Sequence, residues 1–178
     1  MSRLNVPRVA WLLIRLSLLS AFLWNVSPIA AAEARLQALA SDGSGQLLII
    51  TDRARHSVQV EVAASRAERE RGLMDRTELE EAAGMLFLYE QEQPAETGFW
   101  MYRTRIPLDI AYLDARGTIL AIAHMEPCRR TASTGCPTYP AGVPYSAALE
   151  VNSGYFAARG IAPGHRVRWG SEATARRP

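Results

Sequence analysis

Three charged side chains of this chain stand inside apolar words. Asp109 lies between Leu108 and Ile110, Glu150 between Leu149 and Val151, and Arg76 closes the run Gly72-Leu73-Met74-Asp75. An ionised carboxylate is costly to take out of water alone, so it must face solvent, pair with a cation, or keep its proton. A salt bridge from Asp109 to Arg76 or Arg103 is the plain structural outcome. The chemical outcome makes Asp109 and Glu150 two carboxyls of one cleft, suited to acid/base work or to gripping sugar hydroxyls. Trp100 adds to that picture. It is adjacent to Phe99 on an expected strand, so the two rings must point to opposite faces. An outward Trp100 beside Tyr102, with Arg103 and Arg105 close in sequence, could stack a planar ligand and bond its polar groups.

A soft-metal site is a third chemistry. Met74, Met85, Met101 and Met125, with His124 next to the last, carry the thioether and imidazole groups that suit Cu(I). No M-x-x-M or H-x-x-x-H spacing concentrates them, and methionine in apolar words is commonly core filler. His56 and His165 fall on expected strands as structural histidines. No nucleophile elbow, glycine-rich phosphate loop, zinc-type His/Glu motif or dinucleotide fingerprint occurs. Neither a cofactor nor a bound metal is expected.

These groups have to be positioned by short elements. Residues 46–50 read as a strand, and His56, Val58, Val60 and Val62 alternate with polar residues on a second. Ser65 and Glu68 have the spacing of a capping box, predicting a short helix that ends near Gly72. Residues 77–80 repeat the signal for one more turn. Strands are expected over 85–89, 97–103, 109–114 and 118–124, with Asp114-Ala115-Arg116-Gly117 as the type I turn of a hairpin. Gly98 inside a strand points to a bulge or a close backbone contact. Pro107 has no amide proton and belongs at a strand entrance or edge. Residues 125–144 form a long ordered loop, 145–151 a strand, and Asn152 is placed to cap a helix over 153–159 before a last strand at 165–169. The fold class is therefore α+β, mainly antiparallel β: a compact, barrel-like sheet with two or three short helices.

Of the 178 residues, 1–32 read as a signal peptide, with Arg3, Arg8 and Arg15, an apolar stretch and Ala30-Ala31-Ala32 for cleavage. Ala38-Leu39-Ala40 offers a second cleavage site, and a retained anchor over 9–26 is the rival reading, opposed by Arg15 in its middle. Residues 33–45 read as a linker, 46–170 as one globular domain and 171–178 as a flexible tail. All 20 basic residues are arginine; three precede residue 33, leaving 17 against 18 acidic groups. That near-neutral balance gives no electrostatic case for nucleic acid. Cys128 and Cys136, the only cysteines, read as a disulfide in an exported protein, worth roughly 2 to 3 kcal/mol in the chain-entropy model. Periplasmic or secreted localisation follows from the signal, with membrane contact only if that segment is uncleaved.

The words Glu-Arg-Gly-Leu-Met-Asp-Arg at 70–76, Gly-Met-Leu-Phe at 84–87, Phe-Trp-Met at 99–101, Ile-Pro-Leu-Asp-Ile at 106–110 and Leu-Glu-Val-Asn-Ser-Gly at 149–154 resemble the domain of unknown function 192 family. Gly-Ile-Ala-Pro-Gly-His-Arg-Val at 160–167 resembles its closing segment. The resemblance implies a small β-rich domain, often exported, with no established activity. Where the family often reads Lys-Asn-Thr after Phe-Trp-Met, this chain has Tyr102-Arg103-Thr104. The leading functional expectation is a non-catalytic exported module that binds a small or extended polar ligand in a cleft lined by Arg76, Trp100, Arg103, Asp109 and Glu150. The alternatives are a cell-envelope hydrolase or lyase using Asp109 and Glu150, copper binding through Met and His, and a scaffold whose partner is another envelope component.

Overall fold

Alternation of apolar and polar residues in the chain becomes a sheet with two working faces. The computed structural model describes residues 42–169. The expected signal peptide, most of the linker and the tail lie outside the described residues. The strands are β1 (Ser44–Ile50), β2 (Arg55–Ala63), β3 (Ala83–Gln93), β4 (Gly98–Trp100), β5 (Leu108–Leu113), β6 (Ile119–Met125), β7 (Thr138–Pro140), β8 (Tyr145–Asn152) and β9 (Arg166–Trp169). Two short helices are α1 (Arg66–Arg71) and α2 (Tyr155–Ala158).

Seven strands pair in the order β6-β5-β8-β3-β2-β1-β9, antiparallel except for β2 with β3. The sheet curls into a half-barrel, and its two edges meet at one end. There Thr118 bridges Arg166, the Val167 amide donates to the Gly117 carbonyl at 2.7 Å, and the Ile119 amide donates to the His165 carbonyl at 2.9 Å. The concave face holds Leu47, Ile49, Val58, Val60, Val62, Leu86, Leu149 and Val151, closed by Tyr155 and Phe156 of α2.

The convex face is apolar too. Phe87, Leu108, Ile110, Tyr112, Tyr145 and Ala148 form a second core on it. A sheet buried on both faces needs a second layer, and β4 paired with β7, together with the segments around Leu73 and Met101, supplies it. Every residue of β5 is accordingly buried. Gly98 is the close contact expected: a Cβ there would lie 3.0 Å from the Pro140 nitrogen.

Most elements match the sequence reading to within a few residues. The α1 capping box is present, with Ser65 and Glu68 bonded to each other's backbone, and the helix ends at Gly72. The type I turn closes through the Gly117 amide on the Asp114 carbonyl at 2.9 Å, while Asp114 Oδ1 accepts from Arg116 and Thr118. Four local expectations fail. The loop expected over 125–144 contains β7, because Thr138–Pro140 pairs with Gly98–Trp100. Residues 77–80 form no helical turn. The strand expected over 97–103 is only Gly98–Trp100, because its partner β7 is three residues long. Asn152 caps nothing: its amide donates to the Leu79 and Glu80 carbonyls, so α2 starts two residues later than expected, with Gly154 as N-cap.

Candidate functional site

Between the convex face and its covering layer lies a hollow of about 320 Å³. Its floor is sheet: Phe87 and Tyr89 from β3, Glu150 from β8. Its roof and mouth are Arg66, Arg69, Glu70 and Arg71 of α1, the Gly72–Met74 turn, and Phe99, Trp100, Tyr102 and Thr104. The walls are mostly aromatic, with Phe87 and Phe99 edge to face at 4.9 Å between centroids. Trp100 is 42% exposed at the rim, while Phe99, one residue before, is buried.

Glu150 is the chemically unusual group. Its register partners on the neighbouring strands are Met85 and Ile110, and it is only 4% exposed. Among the described residues no hydrogen bond or ion pair reaches its carboxyl, and burial alone pushes its pKa up to about 8. At neutral pH it is predominantly the acid, able to donate one hydrogen bond and to accept others. Close approach of β3 and β8 keeps it there: a Cβ on Gly84 would meet the Glu150 carbonyl oxygen at 2.4 Å, so this position has no room for a side chain.

The arginines differ in how far they are committed. Arg69 donates to the Leu88 carbonyl at 2.9 Å and to the Ala64 carbonyl, and lies over the Tyr89 ring, fastening α1 to the sheet. Arg66 pairs with Glu70 at 2.7 Å. The Arg71 side chain is exposed and makes no hydrogen bond or ion pair among the described residues, while its carbonyl accepts from the Met74 amide at 3.1 Å. The roof is braced from the far side. Arg103, at φ 60, ion-pairs with Asp75, at φ 64, and the Asp75 amide donates to the Arg103 carbonyl at 2.8 Å. Cys128 and Cys136 are at disulfide distance, and that loop is pinned to the same wall by a Tyr102–Cys128 bridge and by the Cys128 amide on the Met101 carbonyl at 3.2 Å.

Of the five ligand-contact candidates, the hollow brings together Trp100 and Glu150 alone. Arg76 is held by Glu61 at 2.6 Å, and Arg103 is a strut behind the wall. Asp109 is on the other face. Because Ile110 pairs with Glu150 and Asp109 with Val151, alternation sends the two carboxyls to opposite sides of the sheet, where they cannot share a cleft. Nor does Asp109 pair with Arg76 or Arg103. It accepts from the Gly154 amide at 2.9 Å and contacts His124 Nδ1 at 3.0 Å. His124 Nε2 in turn is 3.0 Å from Glu126, and these two carboxylates raise the His124 pKa. Ser153 Oγ lies 3.4 Å from the same Nδ1 that meets Asp109, so the trio lacks the arrangement in which serine and aspartate take different ring nitrogens. Met85, Met101 and Met125 are buried in the convex-face core, whereas His124 points to the other face. Among the described residues no group of three or more His, Cys, Asp or Glu could hold a metal ion.

The family model for DUF192, "Uncharacterized ACR", matches residues 48–169. The chain belongs to this family. No curated protein matches it significantly. Solved structures that share the fold include two from bacteria. One, from Sinorhizobium meliloti 1021 and provisionally named a transcription regulator, is 30% identical with a TM-score of 0.63, covering 71% of this chain and 93% of that one. The other, a protein of unknown function from Novosphingobium aromaticivorans DSM 12444, is 35% identical with a TM-score of 0.62, covering 71% and 85%. Within the DUF192 domain, the missed site residues are the arginines of α1. Their signal was present in sequence, since Arg66, Arg69 and Arg71 crowd one capped six-residue helix that ends in the Glu-Arg-Gly-Leu-Met word.

Proposed function

We propose that this DUF192 domain is an exported, non-catalytic module that binds a small ligand in the hollow between the convex face and α1. The observation that carries the reading is Glu150: a carboxyl buried without a protein partner, at the floor of a hollow that has an aromatic wall and an arginine rim. A carboxyl with no protein partner that opens only onto such a hollow is poorly hydrated, and a ligand that bonds it gains what the protein does not supply. The volume fits the lower end of ligand pockets, roughly 300 to 1,000 Å³. Nucleophile and base are not combined here, which favours binding over turnover. Export is supported by the signal-like pattern of residues 1–32 and by the cysteine pair at disulfide distance. No described helix is long and apolar enough to cross a membrane. The regulator name of the Sinorhizobium structure is not carried over, because a net charge of +2 provides no footprint for DNA.

The test is a thermal-shift screen of small metabolites against the purified protein, Trp100→Ala and Glu150→Leu. Compounds that stabilise the parent should lose most of their effect in both folded variants. A set of hits that stabilises all three equally would place binding elsewhere and overturn the reading.

A further inference from the structure

Resting on the binding reading above, we infer that the hollow selects a small organic anion: a planar, largely apolar body with one carboxylate-sized charge at one end and an uncharged hydroxyl-like group at the other. The charges of the lining set the first part. Three arginines and two carboxyls surround the space, and Arg66 with Glu70 form one pair at 2.7 Å. Arg69 donates from Nη1 to two backbone carbonyls, which holds it in place, and its charge remains. The Arg71 guanidinium is exposed at the mouth with no partner among the described residues, and in that state it is suited to a two-oxygen anion.

The floor sets the second part. Glu150 has no counter-cation, and its proton is retained by burial, so the deep end offers a neutral donor and acceptor. An anion placed there would confront a carboxyl; a hydroxyl would satisfy both of its functions. Between the two ends the ligand meets Phe87, Phe99 and the partly exposed Trp100, surfaces that take a flat ring in edge or face contact. A cationic ligand would be drawn to Glu150 but would have to pass three guanidinium groups, so the field at the mouth disfavours it.

Calorimetric titration at pH 6.5 with four probes tests the assignment: 4-hydroxybenzoate, benzoate, 4-hydroxybenzyl alcohol and 4-hydroxybenzylamine. The first should bind tightest, and loss of either the carboxylate or the hydroxyl should weaken binding by about tenfold or more. Arg71→Ala should erase the preference over the alcohol. Glu150→Leu should erase the preference over benzoate, and Glu150→Gln, which keeps a donor and an acceptor, should retain it. Equal or tighter binding of the amine or the alcohol overturns the anion assignment while leaving the hollow a binding site. Failure of all four probes, alongside Trp100-dependent hits in the metabolite screen, overturns the ligand class alone; failure in both removes the binding reading as well.

Discussion

Glu150 is where one residue sets a measurable property of the whole protein. Its ordinary value of 4.5 in the unfolded chain rises to about 8 when folded, so between these limits the native state holds a proton that the unfolded state has lost. By linkage, stability falls as pH rises through that window, by about 1.4 kcal/mol for each pH unit, and levels off above it. Glu150→Gln removes this dependence. It should match the parent near pH 4 and exceed it by several kcal/mol at pH 8, measured as urea midpoints across the range; parallel pH profiles for the two proteins would show that the carboxyl is solvated or paired. His124 acts in the same direction, over a window that starts higher. Its raised pKa, from Asp109 first and Glu126 second, stabilises below the unfolded value of 6.5, and that contribution is lost as pH climbs through the folded one. Measurements on Glu150→Gln should therefore be compared with the parent at each pH, so that the shared His124 contribution cancels.

At the scale of elements, α1 is the part on which the site depends. Six residues cannot hold a helix in water by themselves, and this one is kept by its capping box, by the Arg69 contacts to β3 and by the turn that follows. Ser65→Ala removes the side-chain acceptor for the Glu68 amide and should cost about 1 kcal/mol. Because the same helix carries Arg71, the variant should also weaken 4-hydroxybenzoate more than 4-hydroxybenzyl alcohol. Loss of stability with an unchanged ratio between the two probes would mean that α1 does not orient the charged rim.

The molecule as a whole depends on the seam where its sheet edges meet. Gly117, at φ +78, sits against β9, and a Cβ there would lie 2.2 Å from the Val167 carbonyl oxygen. Gly117→Ala should lower stability by ~1 to 3 kcal/mol, as expected for overpacking against backbone. Gly142→Ala is the control, since Gly142 has φ +73 but nothing within 4 Å of its Cβ position. Similar denaturation midpoints for the two variants would mean that the seam yields easily and that the edges are only loosely joined. The seam is distant in sequence from α1, so the same substitution should leave probe selectivity intact in the folded fraction.

Periodicity, caps and turns made much of this architecture legible in advance. The alternation in β2, the Ser65/Glu68 pair before α1 and the Asp114-to-Gly117 turn are local signals, decided by neighbours a few residues apart, and they appear in the structure with small boundary shifts. The family words were equally readable. Asn152 went astray because its amide found carbonyls more than 70 positions away, at Leu79 and Glu80. The site divided along the same line. Sequence alone fixed that Phe99 and Trp100 face opposite ways and that Asp109 and Glu150 are carboxyls in apolar surroundings. Which face each carboxyl takes depends on the register of β5 against β8, and a single-residue offset reverses it. Only the tertiary structure could therefore give Glu150 to the hollow and Asp109 to His124, and set three arginines of one short helix above a buried acid.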